Sequence, residues 1–214
     1  MISIETLVFN PFEENTYIVF DETMECLIID PGCYTTEEES KLVNLIENKE
    51  LIPKLLINTH CHIDHVLGNS FVSATYNLPL QVPKADNDTL EAVPSYAATY
   101  GFPNYIHIPA DRLIETNEKF TFGNSNLDVL FVPGHSVGHI ALVNVEERVC
   151  LSGDVLFNGS IGRTDLPGGN FDMLIKSIHE QLFDLPDDTT VYPGHGITTT
   201  IGHEKKTNPF CALG

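Results

Sequence analysis

Residues 54–65 read KLLINTHCHIDH, a short β-rich run that ends in three histidines and an aspartate within six positions. In an extended segment residues two apart point to the same side. His60 and His62 can therefore grip one ion while Cys61 and Ile63 face the other way. Asp64 and His65 are adjacent and break that alternation. If they also bind metal the chain must turn there, and a helix that starts at this point and runs to about Tyr76 supplies the turn and presents them to a second ion.

The same arrangement, an apolar run ending in a group able to bind metal, recurs downstream. LDVLFVPG runs into His135, RVCLSG into Asp154 and TTVYPG into His195, each with glycine immediately before the candidate ligand, where a sharp backbone departure is easiest. Strand ends gathered on one edge of a layered fold form a natural site for convergent side chains. Taken singly, His135 or His195 reads as a loop histidine and Asp154 as a turn residue. Taken together, His60, His62, Asp64, His65, His135, Asp154 and His195 suffice for two ions if Asp154 bridges them. His139, four residues beyond His135, is placed to support a ligand from behind.

The rest of the chain supplies a scaffold of matching size. It has 214 residues, 42% of them hydrophobic, enough for one buried core. The runs ISIETLVF, NTYIVF and CLIID open a sheet as a meander. TEEESKLVNLIENKE (36–50) is amphipathic behind an acidic first turn and predicts a helix. Residues 84–100 read as helical but interrupted by Pro94, and GFPNYIHIP (101–109) as a lid or loop. KFTF, LDVLFVP, HIALVNV and RVCLSG repeat the strand habit before a glycine-rich loop, a helix near 171–182 and a last strand, TTVYPG. The expectation is one α/β domain over residues 1–214 whose two sheets share the core.

Composition narrows the partners. Thirty acidic against eleven basic residues give a formal charge of −19, which opposes any partner held by phosphate neutralisation, so neither nucleic acid nor a membrane surface is expected. No apolar run approaches the roughly 18–20 residues of a membrane span, and MISIETLVFN has no basic stretch ahead of an apolar one. Five cysteines, an odd and irregularly spaced set without a C-x-x-C pair, argue against a disulfide framework and for a reducing cytoplasm. Lys205 and Lys206 read as solvated surface, His107, His179 and His203 as surface or helix residues.

THCHIDH, PGHSVGH, LSGD, LFNGSIGRTDLPGG, YPGHG and TTIGHEKKTNPF together resemble the metallo-β-lactamase superfamily, and within it the short glyoxalase-II-like hydrolases. The resemblance implies a four-layer αββα sandwich. It implies one metal on His60, His62 and His135, a second on Asp64, His65 and His195, and Asp154 between them, with Asp30 of IIDPG supporting the ligands from behind. The ions expected are divalent, zinc first, with iron or manganese as alternatives.

Two ions sharing a water would lower its pKa towards neutrality and create a hydroxide nucleophile, and one would polarise a substrate carbonyl. Such a centre suits thioesters, because a thiol of pKa about 8.5 leaves as thiolate without a dedicated proton donor. The activity implied is hydrolysis of a hydroxyacyl thioester such as S-lactoylglutathione, with Asp64 both binding metal and hydrogen-bonding the nucleophile. Arg163 in GRTD either contacts a substrate anion or pairs with Asp165. Longer glyoxalase II enzymes carry a helical domain that contacts glutathione, whereas nineteen residues follow His195 and predict no such domain. Persulfide dioxygenases of the same fold form the alternative, with a single iron on His60, His135 and Asp154. Acyl group, thiol carrier and oligomeric state, monomer or small homo-oligomer, are left open by the sequence.

Overall fold

The computed structural model describes residues 1–213. It resolves into two compact units, residues 1–114 with 121–125, and residues 115–120 with those from 126 onward. Among the described residues the strands form two six-stranded sheets and a small hairpin.

The first sheet runs in chain order: β1 (Ser3–Phe9), β2 (Glu14–Phe20), β3 (Glu25–Ile29), β4 (Ile52–Ile57), β5 (Leu80–Pro83) and β6 (Arg112–Ile114). The expected meander is β1–β3, antiparallel throughout. From β3 onward the pairing is parallel, so β3, β4 and β5 end on the same edge. Central strands are buried on both faces, which is why ENTYIVF and ECLII read as continuous rather than alternating apolar runs. Helix α1 (Thr36–Asn48) buries Leu42 and Ile46 against this unit's core, beside Ile28, Leu56 and Leu80. A capping box between Thr35 and Glu38 starts it, and the Glu38 carboxylate also accepts the main-chain N–H groups of Tyr34 and Asn10.

The helix expected through Tyr76 is two pieces, α2 (Ile63–Val66) and α3 (Asn69–Tyr76). Residues 84–100 are likewise divided. A tight turn, Lys84–Asp86, leads into α4 (Asn87–Ala92), and Pro94 opens a further turn at Val93–Ser95, where its missing N–H costs nothing. GFPNYIHIP carries no regular element, and Phe102 anchors it edge-on to Tyr34.

The second sheet has the order β14-β13-β10-β9-β8-β7, built from β7 (Lys119–Phe122), β8 (Ser125–Phe131), β9 (Ile140–Asn144), β10 (Val149–Gly153), β13 (Thr190–Pro193) and β14 (Thr199–Thr200). A hairpin, β11 (Leu156–Phe157) and β12 (Ser160–Ile161), follows β10. The pair β10–β13 is parallel and so ends on one edge, while β9 is antiparallel to both β8 and β10, so that β8 runs in the direction of β10. Helix α5 (Phe171–Ser177) continues as a wider turn, Ile178–Leu182, and fills the predicted span. Its Leu174 packs with Val143, Cys150 and Val191 in this unit's core. The tail, for which no element was predicted, forms α6 (Ile201–Thr207).

Replacing the capping threonine, Thr35→Ala, is expected to cost about 1 kcal/mol. Differential scanning calorimetry should show the melting temperature falling by roughly 2–4 °C, as for domains of this size.

Candidate metal centre

The carboxyl ends of the parallel strands place the candidate residues, and each unit carries its own group. In the first unit β3 ends at Asp30, a residue in the left-handed region (φ +50°) and almost fully buried. β4 leads into Asn58, Thr59 and His60, all buried. Asp30 Oδ1 accepts the Thr59 main-chain N–H and Oδ2 the Thr59 hydroxyl, both at 2.6 Å. With its proton on Asp30, Thr59 Oγ1 is an acceptor towards His60 Nδ1, 3.2 Å away. That relay puts the His60 proton on Nδ1 and leaves Nε2 with a lone pair for a metal.

His62 lies on the same side as His60. Their rings stand edge-to-face with centroids 4.8 Å apart, while Cys61 between them is fully buried, as the alternation predicts. The chain then turns, with His65 N–H donating to the His62 carbonyl, and Asp64 falls in the first turn of α2. His65 is completely buried; its Nδ1 lies 3.3 Å from Asp30 Oδ2 and its Nε2 3.6 Å from Asp64 Oδ2. Asp30 thus stands behind both His60 and His65 with a carboxylate already committed to Thr59.

Residues without a metal-binding signature hold this turn. Asn58 Nδ2 donates to the His65 carbonyl, and Asn69 Nδ2 to Asn58 Oδ1, within a fully buried pair. Asn10, at φ +52°, donates from Nδ2 to the carbonyls of Asp64 and Gly32. Glu14 is fully buried with Oε1 3.8 Å from His65 Nδ1, and burial pushes its carboxyl well above the ordinary value, only partly opposed by His65. The Thr16 hydroxyl, 3.0 Å from Glu14 Oε2, also lies 2.8 Å from the Asp30 carbonyl. The hydroxyl is the donor to these oxygens and in turn accepts the Gly32 main-chain N–H at 2.9 Å.

In the second unit β8 ends before His135, β10 before Asp154 and β13 before His195. Because β10 and β13 are parallel, Asp154 and His195 emerge side by side, tied by Gly194 N–H donating to the Gly153 carbonyl at 2.8 Å. Asp154 Oδ2 is 3.5 Å from both His135 Nε2 and His195 Nε2. His139 supports the aspartate rather than an imidazole, its Nε2 accepting the Asp154 main-chain N–H at 3.0 Å. Gly134, at φ +132°, abuts the Leu174 backbone with no space for a side chain.

Arg163 pairs with Asp165 through two 2.8 Å hydrogen bonds, which hold the Asp165 carboxyl down at about 2. Its main-chain carbonyl has a further part, receiving the His135 Nδ1 proton at 2.8 Å. Gly162 makes that approach possible, since a Cβ there would overlap the Asp154 carbonyl. The tail motif secures the same loop: buried Glu204 accepts the Gly159 N–H and Asn208 Nδ2, and Asn208 Nδ2 also reaches the Ser160 carbonyl. Lys205 is half-buried and pairs with the exposed Asp187 at 2.8 Å, while Lys206 is exposed.

The donor chemistry fits divalent cations. His135 has Nδ1 directed at a fixed acceptor, so its Nε2 lone pair faces an Asp154 carboxylate oxygen at 3.5 Å, and the buried His65 Nε2 stands 3.6 Å from Asp64 Oδ2. Two acceptors facing one another at that distance call for a cation between them, and ligands of a tetrahedral ion with bonds of 2.0–2.1 Å stand about 3.3 Å apart.

A mixed α/β fold with imidazole and carboxylate groups at its strand ends defines a metallo-hydrolase. Residues 9–195 match the family model of the metallo-β-lactamase superfamily, and the chain belongs to that superfamily. The matched span takes in most of both compact units. Hydroxyacylglutathione hydrolase GloC of Haemophilus influenzae is 36% identical over 211 residues, 98% of each chain. The crystal structure of BLEG-1 B3 metallo-β-lactamase superposes with a TM-score of 0.90 at 33% identity, covering 99% of this chain and 100% of that one. TTHA1623 in a di-iron-bound form gives 0.84 at 36% identity, over 96% and 99%. No helix among the described residues is long and apolar enough to cross a membrane.

The raised Glu14 carboxyl has a pH consequence for the metal-free protein. A folded-state value above the unfolded one gives stability that is complete below the ordinary carboxylate pKa and is lost as pH rises through the folded value. Urea denaturation is expected to show wild type losing stability from pH 5 to pH 8 relative to Glu14→Gln, which stays neutral throughout.

Proposed function

We propose that this protein is a dinuclear metal-dependent hydrolase of hydroxyacyl thioesters such as S-lactoylglutathione. The observation that carries the reading is the Asp154 carboxylate oxygen, 3.5 Å from the imidazoles of both His135 and His195, an arrangement suited to an aspartate shared between two ions. The ligands proposed are His60, His62 and His135 for one ion and Asp64, His65 and His195 for the other. Zinc is the metal proposed, and the di-iron form of TTHA1623 keeps iron as the alternative. The thioester substrate is suggested by GloC.

Divalent ions, when bound, acidify water and polarise a carbonyl. The chain's own residues do the rest. Thr59 and the Arg163 carbonyl fix the tautomers of His60 and His135, so that both present Nε2 without rearrangement. Asp64, held by its own carbonyl through Asn10, orients the attacking water. A thiol leaves as thiolate at pKa about 8.5, so no further proton donor is required. An acidic chain suits a small-molecule partner and disfavours nucleic acid. We place the enzyme in the cytoplasm, as a monomer or small homo-oligomer in which the two compact units are halves of one domain.

Hydrolysis of S-lactoylglutathione by zinc-loaded protein, followed by thioester absorbance, tests the reading. His60→Ala is expected to lower the rate by more than about a hundredfold, beyond the loss typical of residues that only support a ligand. No turnover in metal-loaded wild type, or equal turnover in the variant, overturns it. Oxygen uptake with glutathione persulfide by the iron-loaded protein would instead favour the single-iron dioxygenase, and hydrolysis of a β-lactam the chemistry in the name of BLEG-1.

A further inference from the structure

Three parallel strands of the first sheet, β3, β4 and β5, end on the same edge. The first delivers Asp30 and the second His60. The third ends at Pro83 and tightens into the turn that carries Asp86, a fully buried carboxylate outside the proposed ligand set. Asp86 Oδ2 accepts the main-chain N–H of Cys61 at 2.6 Å, and its Oδ1 lies 3.4 Å from the Thr89 hydroxyl.

Cys61 is the residue between His60 and His62. Its N–H belongs to the peptide joining it to His60, so holding that N–H fixes the plane that contains the His60 Cα and the Cys61 Cα from which the chain continues to His62. The Asn58–Thr59 peptide, two earlier, is held in the same way, by Thr59 N–H on Asp30 Oδ1 at 2.6 Å. One buried carboxylate therefore grips the chain on each side of His60. At 2.6 Å both bonds are shorter than the usual N–H···O range. Nothing in the sheet ladder requires a carboxylate here, since Asn58, at the start of the same loop, uses the Gln81 carbonyl as its acceptor.

We propose that Asp86 is a positioning residue for the ligand pair His60 and His62, acting through the Cys61 peptide and not by touching the metal. The inference rests on the reading of these two histidines as ligands. It assigns Asp86 a part complementary to that of Asp30, which sets the tautomer of His60, whereas Asp86 sets the direction in which His60 and His62 leave the backbone.

The test compares Asp86→Ala with Asp86→Asn in the full-length protein, by zinc competition against a chromophoric chelator and by the visible spectrum of the cobalt-substituted form. Asp86→Ala is expected to bind zinc roughly 10–100-fold more weakly, the loss typical when a ligand's support is removed, with altered cobalt bands. Asp86→Asn retains an oxygen that can accept the Cys61 N–H and is expected to restore the wild-type spectrum and most of the affinity. Wild-type affinity and spectrum in Asp86→Ala overturn the proposal, as does an Asp86→Asn variant as impaired as the alanine. If Asp86→Ala does not fold, Asp86→Glu decides: it keeps the charge and displaces the acceptor, so weaker binding supports the proposal and unchanged binding overturns it. Wild type that takes up no metal overturns the metallo-hydrolase reading as well, which separates the two failures.

Discussion

Main-chain N–H groups that leave the end of a buried strand need acceptors, and the loop Asn58–His65 has outrun the strands that could supply them. Asn58 still reaches the Gln81 carbonyl, but Thr59 and Cys61 donate to the buried carboxylates of Asp30 and Asp86. Much of the site follows from this need. The same bonds that satisfy the loop fix its path, and the path aims the imidazoles. Asp30 does more, because its second oxygen takes the Thr59 hydroxyl proton and so determines which nitrogen of His60 carries hydrogen. Structural and chemical requirements are met here by one set of hydrogen bonds.

The second unit reaches a comparable end by other means. Its candidate ligands leave β8, β10 and β13, and their supports are an imidazole, His139, and a carbonyl, that of Arg163. The carbonyl lies in the glycine-containing loop that Glu204 and Asn208 hold to α6. The tail motif thus acts at a distance, steadying a hairpin whose continuation orients His135. Parallel pairing in both sheets accounts for the side-by-side emergence of Asp154 with His195 and of Asp30 with the His60 loop, since parallel strands expose their carboxyl ends on one edge.

The strand ends that carry the candidate ligands were legible in the sequence because four apolar runs led into His60, His135, Asp154 and His195. The same signal existed for Asp86, where LQVP runs into KAD, but β5 is four residues long and lies between helical segments, so it did not stand out as a strand. Asn10, Asn58 and Asn69 were illegible for another reason: an asparagine that bonds a distant carbonyl looks like any turn residue until the chain is folded. The part of Arg163 was read on its side chain, whereas its carbonyl is what meets His135, and no residue identity announces a carbonyl. Division of the α2–α3 segment also escaped, because the apolar spacing continues across Leu67 and Gly68 while the backbone does not.

Each of the five cysteines is free and buried, and burial raises the thiols of Cys26, Cys150 and Cys211 to about 12 and that of Cys61 well above its ordinary value. Thiol–disulfide exchange begins from a thiolate with access to its partner. An enzyme that releases a small thiol at every turnover works in a growing pool of it, where an exposed, ionised cysteine would collect mixed disulfides. On the thioester reading proposed above, a released thiol would meet no such group here, since all five cysteines are buried.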